Sequence, residues 1–154
     1  MASAKNRRKN TPRFYVVRCY RRTTSTCHHD VAYFSNIKRN KMNTAHFKEK
    51  EFACKCCGGT KPNSELMTVL QLVRLHFNKP VIITSSYRCP KYNKAVGGAS
   101  KSKHLEGIAA DIQVKDTEPM EVYHLLDSIF PNHYGIGSYK SFTHIDVRPT
   151  KARW

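Results

Sequence analysis

Two short stretches of the chain carry residue types that could do chemistry together. Ser102-Lys103-His104-Leu105-Glu106-Gly107-Ile108-Ala109-Ala110-Asp111 offers an imidazole and a carboxylate seven positions apart. Phe142-Thr143-His144-Ile145-Asp146-Val147 offers a second imidazole inside a β-branched run. Two imidazoles and one carboxylate make a three-ligand zinc set that leaves a fourth position for water, which is the pattern of a catalytic metal. Side chains alternate along a strand, so His144 and Asp146 would share a face. Asp146 could then serve as general base for a metal-activated water, or as a carboxylate that orients a ligand histidine. Glu106 and His133 are alternative bases. On spacing alone each histidine could equally be a surface or core residue, because the separation of His104 from Asp111 matches no general metal motif.

These residues need elements to position them. Ser64 opens a helix with Leu66, Val69, Leu70, Val73 and Phe77 at helical spacing, N-capped by Asn63 or Ser64 and ended by Asn78-Lys79-Pro80. Val81-Ile82-Ile83-Thr84 reads as a short buried strand. Ser85 to Pro90 leaves it, and a short helix over 91–96 stops at Gly97-Gly98. A loop over 100–107 carries His104, and a strand over 109–114 carries Asp111. Two alanines before Asp111 allow close backbone approach. Thr117 is expected to cap a helix over 118–130 with a core face of Met120, Tyr123, Leu126 and Phe130. Tyr134 to Tyr139 is punctuated by glycine, and 142–147 reads as a final strand. Phe47 and Phe52 are apolar anchors at the start of this region. The order predicts an α+β domain: a small, mostly antiparallel sheet with helices packed on one face.

The 154 residues suit one core-bearing domain over 43–154, preceded by a basic, partly disordered extension over 1–42. The segment Phe14 to Tyr20 could add one strand. The net charge is +16, unevenly spread: residues 1–42 hold eleven Lys/Arg against one acid, the remainder sixteen against ten. Such an arm suggests contact with a polyanion: nucleic acid, an anionic wall polymer or a membrane surface. No run approaches the roughly eighteen apolar residues of a membrane span. The start of the chain is basic without an apolar core, so no Sec signal peptide is expected. Six cysteines stand at 19, 27, 54, 56, 57 and 89. Cys54-Lys55-Cys56-Cys57 is read as lacking the CxxC spacing of a zinc ribbon. The cysteines are therefore expected to be free or buried thiols, ahead of disulfides or structural zinc.

Four motifs in order carry a resemblance: Ser85-Ser86-Tyr87-Arg88, Tyr92-Asn93-Lys94-Ala95-Val96-Gly97-Gly98, the Ser102…His104…Gly107…Ala109…Asp111 stretch, and Phe142-Thr143-His144-Ile145-Asp146. Together they resemble the M15 family of zinc peptidases, most closely its small D-Ala-D-Ala carboxypeptidase-like and murein endopeptidase-like branch, over about 43–148. The resemblance implies Zn2+ held by His104, Asp111 and His144, with Arg88 contacting substrate or the developing oxyanion and Ser102 orienting substrate. Tyr87, Tyr92 and Tyr139 would line a cleft. Many members carry an acid three residues before the last histidine. Ser141 stands there, which shifts the expected base to Asp146. The implied substrate is a peptidoglycan stem peptide or cross-link, cut by a monomeric enzyme. A basic arm without a signal peptide would suit a phage- or virus-encoded protein acting at the cell wall. Two rival readings are a catalytically inactive zinc module and a virion- or nucleic-acid-associated basic protein.

Overall fold

The computed structural model describes residues 45–61 and 63–154. The basic extension over 1–42 and the strand expected at Phe14 to Tyr20 lie outside the described residues.

The first helix, α1 (Ser64–Phe77), starts where the Asn63 side chain accepts the Leu66 N–H at 2.9 Å. It ends at Asn78, whose left-handed φ of 50° closes the C-terminus. Leu66, Val69, Leu70 and Val73 are fully buried along one stripe, joined by Met67. The short helices α2 (Pro90–Ala95) and α3 (Lys103–Glu106) follow, then α4 (Pro119–Ile129). Five strands, β1 (Val81–Ser85), β2 (Ala109–Val114), β3 (Gly135–Ser138), β4 (Thr143–Asp146) and β5 (Ala152–Arg153), form one sheet in the order β1-β2-β4-β3-β5. Every pairing is antiparallel except β3 with β5. The architecture is α+β, as the order of elements predicts. No helix among the described residues is long and apolar enough to cross a membrane.

Alternation along the strands sorts the sheet into two faces. Ala110, Ile112 and Val114 of β2, Ile145 of β4 and Ile136 of β3 join the core with α1 and α4. Phe47 and Phe52 complete that core, meeting edge to face with centroids 6.5 Å apart. Each such ring contributes roughly 1.5–3 kcal/mol by burial. The opposite face carries Ala109, Asp111, His144 and Asp146, with Asp111 paired to His144 and Ala109 paired to Asp146 across β2 and β4. Only one of the two alanines before Asp111 therefore lies on this face.

Three expectations need correction. The run from Val81 to Thr84 forms an edge strand, so Ile82 is 53% exposed and only Val81 is buried. A continuous β-branched run does not reveal whether a strand has one neighbour or two. On α4 the buried positions are Val122 and Leu126, while Met120 is 50% exposed. The helix starts at Pro119 with Glu118 rather than Thr117 at the N-cap, and its i, i+4 stripe runs 122–126–130. Finally, β4 is not the last strand. β5 follows and pairs with β3, whose Gly-Ile-Gly-Ser sequence reads as a turn.

Candidate metal centre

Three elements bring the ligand set together. Asp111 and His144 are direct partners across β2 and β4, and α3 carries His104 onto the same face. One ligand atom from each of His104, Asp111 and His144 lies within 4.8 Å of the others, and all three residues are buried. Asp111 Oδ1 is 2.9 Å from His144 Nδ1 and 3.3 Å from His104 Nε2.

The remaining nitrogen of each ring is already held. His104 Nδ1–H donates to the Ser86 carbonyl at 2.6 Å, and His144 Nε2–H donates to Asp146 Oδ2 at 3.1 Å. His104 Nε2 and His144 Nδ1 are thereby left facing one point beside the Asp111 carboxylate. This is how ligand histidines are oriented in metal sites, by an acceptor on the far nitrogen. The N,N,O donor set suits a divalent transition metal such as zinc. The residues present therefore fit the metal.

Asp146 is fully buried and doubly held by Arg148, with Nε to Oδ1 and Nη2 to Oδ2 both at 2.6 Å. Burial opposes its ionisation, but His144 and Arg148 outweigh that and pull the carboxyl down to about 2. Asp111 is likewise held well below the usual carboxylate range by the two imidazoles, against the effect of burial. For His144 burial disfavours the imidazolium, yet Asp111 and Asp146 flank the ring and push its pKa up.

These directions set the pH dependence of the metal-free fold. The lowered Asp146 contributes stability above its ordinary 3.8, lost as pH falls towards 2. The raised His144 contributes stability below its ordinary 6.5, lost as pH rises through its folded value. The thermal midpoint of the metal-stripped chain is therefore expected to peak between those two values. Added zinc should raise the midpoint more as pH climbs past the histidine range, because a metal ligand must be deprotonated. Thermal melts with and without zinc across that range check both limbs.

A cleft of about 470 Å³ opens over the centre. Arg88, Ser102, His104, Asp111, Tyr139 and His144 line it. Arg88 donates to Asp111 Oδ2 at 2.5 Å and to Ser85 Oγ at 2.8 Å. Ser102 precedes α3 without making a side-chain cap bond. Tyr87 does not line the cleft: its ring lies beneath the Lys61 ammonium, 5.0 Å from the centroid. Tyr92 is also outside the lining. Glu106 is exposed and paired with Lys103 at 2.6 Å. His133 packs beside Tyr134, and its carbonyl accepts from Arg153, so it too is off the cleft.

Besides Tyr139, the motifs leave out four lining residues, Ala99, Lys101, Arg148 and Trp154, of which the last two pack against the metal centre. The Trp154 ring sits 5.2 Å from His144 and 5.7 Å from the Arg148 guanidinium, and its Nε1–H donates to Tyr139 Oη at 2.7 Å. β5 delivers it. A Cβ at Gly137 would collide with Trp154, and one at Gly135 with the Asp146 carboxylate. The glycine punctuation of β3 thus makes room for both groups. The basic residue two positions after Asp146 was the available signal for Arg148.

No curated protein matches the chain. The sequence profile of the family described as peptidase M15 matches residues 45–146, the span that holds Arg88, His104, Asp111, His144 and Asp146. That match covers well over half of the 154 residues and ends on the carboxylate that orients His144. The chain belongs to the peptidase M15 family, whose members are metal-dependent peptidases.

Proposed function

We propose that the protein is a zinc-dependent peptidase that cuts peptide bonds in peptidoglycan stem peptides or their cross-links. The observation that carries this reading is the charge of the cleft. Arg88, Lys101, Lys103 and Arg148 line it, and Asp111 is the one carboxylate among its described lining residues. Stem peptides carry free carboxylates, and a cationic cleft over a metal centre is complementary to them.

Zinc held by His104, Asp111 and His144 would supply Lewis acidity for water activation and carbonyl polarisation. The chain's own residues do the rest. Arg88, anchored by Ser85 and Asp111, places a guanidinium where negative charge develops on the scissile carbonyl. The Ser102 hydroxyl, which caps nothing, is available to the peptide backbone. Asp146, locked by Arg148, keeps the His144 ring in the orientation that frees Nδ1. Residues 1–42, with net +10, would tether the enzyme to an anionic wall polymer, consistent with a phage- or virus-encoded protein acting as a monomer at the wall.

Incubation with a defined pentapeptide stem and with a cross-linked muropeptide, read by mass spectrometry, tests the substrate class. Loss of the terminal alanine marks a carboxypeptidase, and opening of the cross-link an endopeptidase. A zinc-loaded protein that leaves both intact would favour the rival reading, a metal-binding module without peptidase activity.

A further inference from the structure

A second cluster of metal-binding side chains lies outside the cleft. The thiols of Cys54, Cys57 and Cys89 all fall within 4.8 Å of one another. The expectation that this stretch lacks CxxC spacing is corrected, because Cys56 only masks the pair Cys54 and Cys57. Cys54 and Cys57 have the two-residue separation of a zinc-binding turn, and Cys89 comes from the loop between β1 and α2.

The backbone around the cluster is built to face sulfur. Residues 54–59 close on themselves, with Cys54 N–H donating to the Gly59 carbonyl at 2.8 Å and Gly58 N–H to the Cys54 carbonyl at 2.9 Å. Gly58 takes a φ of 68°, which lets the turn reverse. The Cys89 N–H donates to Cys54 Sγ at 3.3 Å. Tyr92 N–H donates to Cys89 Sγ at 3.4 Å. N–H donors on a sulfur favour thiolate, the form that binds metal. The exposed Cys56 thiol interacts with that of Cys89 but lies outside the cluster of three, so it would have to swing in to supply a fourth sulfur.

We propose that Cys54, Cys57 and Cys89, with Cys56 as fourth donor, form a structural zinc site. A Zn–S bond of about 2.3 Å sets the sulfurs of a tetrahedral site about 3.8 Å apart. The thiols of Cys54, Cys57 and Cys89, all within 4.8 Å of one another, need to close by only about 1 Å to reach that spacing. Four sulfurs and no oxygen or nitrogen ligand select a soft divalent ion and leave no open position for water. Each thiol gives its proton to solvent as its metal–sulfur bond forms.

Such a site would clamp the entry turn to the residue next to Arg88. The clamped loop is the one that shapes the cleft: the Ser86 carbonyl holds His104, Arg88 N–H donates to the His104 carbonyl at 3.1 Å, and the Arg88 side chain holds Asp111. The zinc would thus position Arg88 and His104 without touching substrate.

The test is metal counting and cobalt spectroscopy on the full chain, purified reduced. Wild type is expected to hold two zinc ions. The His104→Ala/His144→Ala variant and the Cys57→Ser/Cys89→Ser variant should each hold one. Cobalt-loaded wild type should show intense near-ultraviolet sulfur-to-cobalt absorption, retained in the histidine variant and lost in the cysteine variant. The wild-type spectrum needs no variant to fold. Three results would overturn the site: no such absorption in wild type, absorption that survives Cys57→Ser/Cys89→Ser, or, in protein purified without reductant, a chain mass lowered by the two hydrogen atoms lost to a disulfide among these cysteines.

Discussion

His104→Ala is expected to remove the cleft metal and lower peptidase turnover by about 1000-fold or more, several kcal/mol of transition-state stabilisation. His104 is buried, and its two ring nitrogens are fully committed, Nδ1 to the Ser86 carbonyl and Nε2 to the metal position beside Asp111. Alanine removes the donor and leaves the Ser86 carbonyl without its partner. A two-ligand remnant of Asp111 and His144 cannot fix the geometry of a catalytic zinc. The paired measurements are zinc stoichiometry and turnover on a stem peptide, with far-ultraviolet circular dichroism to show that the variant is folded. Full turnover with zinc retained would remove His104 from the centre.

The second large effect is expected at Asp146. Its carboxylate is fully buried between His144 and the bidentate Arg148. Asp146→Ala strands a guanidinium and an imidazole beside each other, which should cost about 3–5 kcal/mol of stability, read as a lowered midpoint in denaturant. Asp146→Asn separates the two roles weighed for this residue. An amide oxygen can still accept the His144 Nε2–H, so a positioning role predicts zinc affinity weakened by about 10–100-fold, with activity recovered at saturating zinc. A general-base role predicts a loss that zinc does not rescue and a pH–rate profile missing its acidic limb. The expected result is rescue, because both Asp146 oxygens are already taken by Arg148 and His144 and the carboxylate is not among the residues that line the cleft.

The parts of this centre that sequence made legible are those with a strong local pattern. The stripe from Leu66 to Val73 predicted α1 and its buried face, because a two-sided environment writes a 3.6-residue period. The histidines and Asp111 stood out through a resemblance spread over four motifs, and the fold places their ligand atoms together. Elements without a period were invisible. β5 is two residues long, yet it delivers Trp154 to the cleft wall, against the Arg148 guanidinium. Gly135 and Gly137 looked like turn punctuation because glycine signals absence of a side chain, not the reason for it. Here the reason is the space that Asp146 and Trp154 occupy across the sheet. Tyr87 shows the reverse error: its place beside Arg88 in the chain suggested the cleft, but successive residues in an extended segment point to opposite sides, and its ring packs under Lys61.

Metal dependence of peptidoglycan cleavage is the most direct test that His104, Asp111 and His144 hold a catalytic zinc. Purified peptidoglycan is digested with protein dialysed against a chelator, then with the same protein after zinc is restored, and the released stem peptides are identified by mass spectrometry. The stripped protein is expected to release nothing, and shortened or uncross-linked stem peptides are expected once zinc returns. Peptidoglycan left intact by the zinc-restored protein, or cleaved equally well by the stripped one, would contradict that assignment.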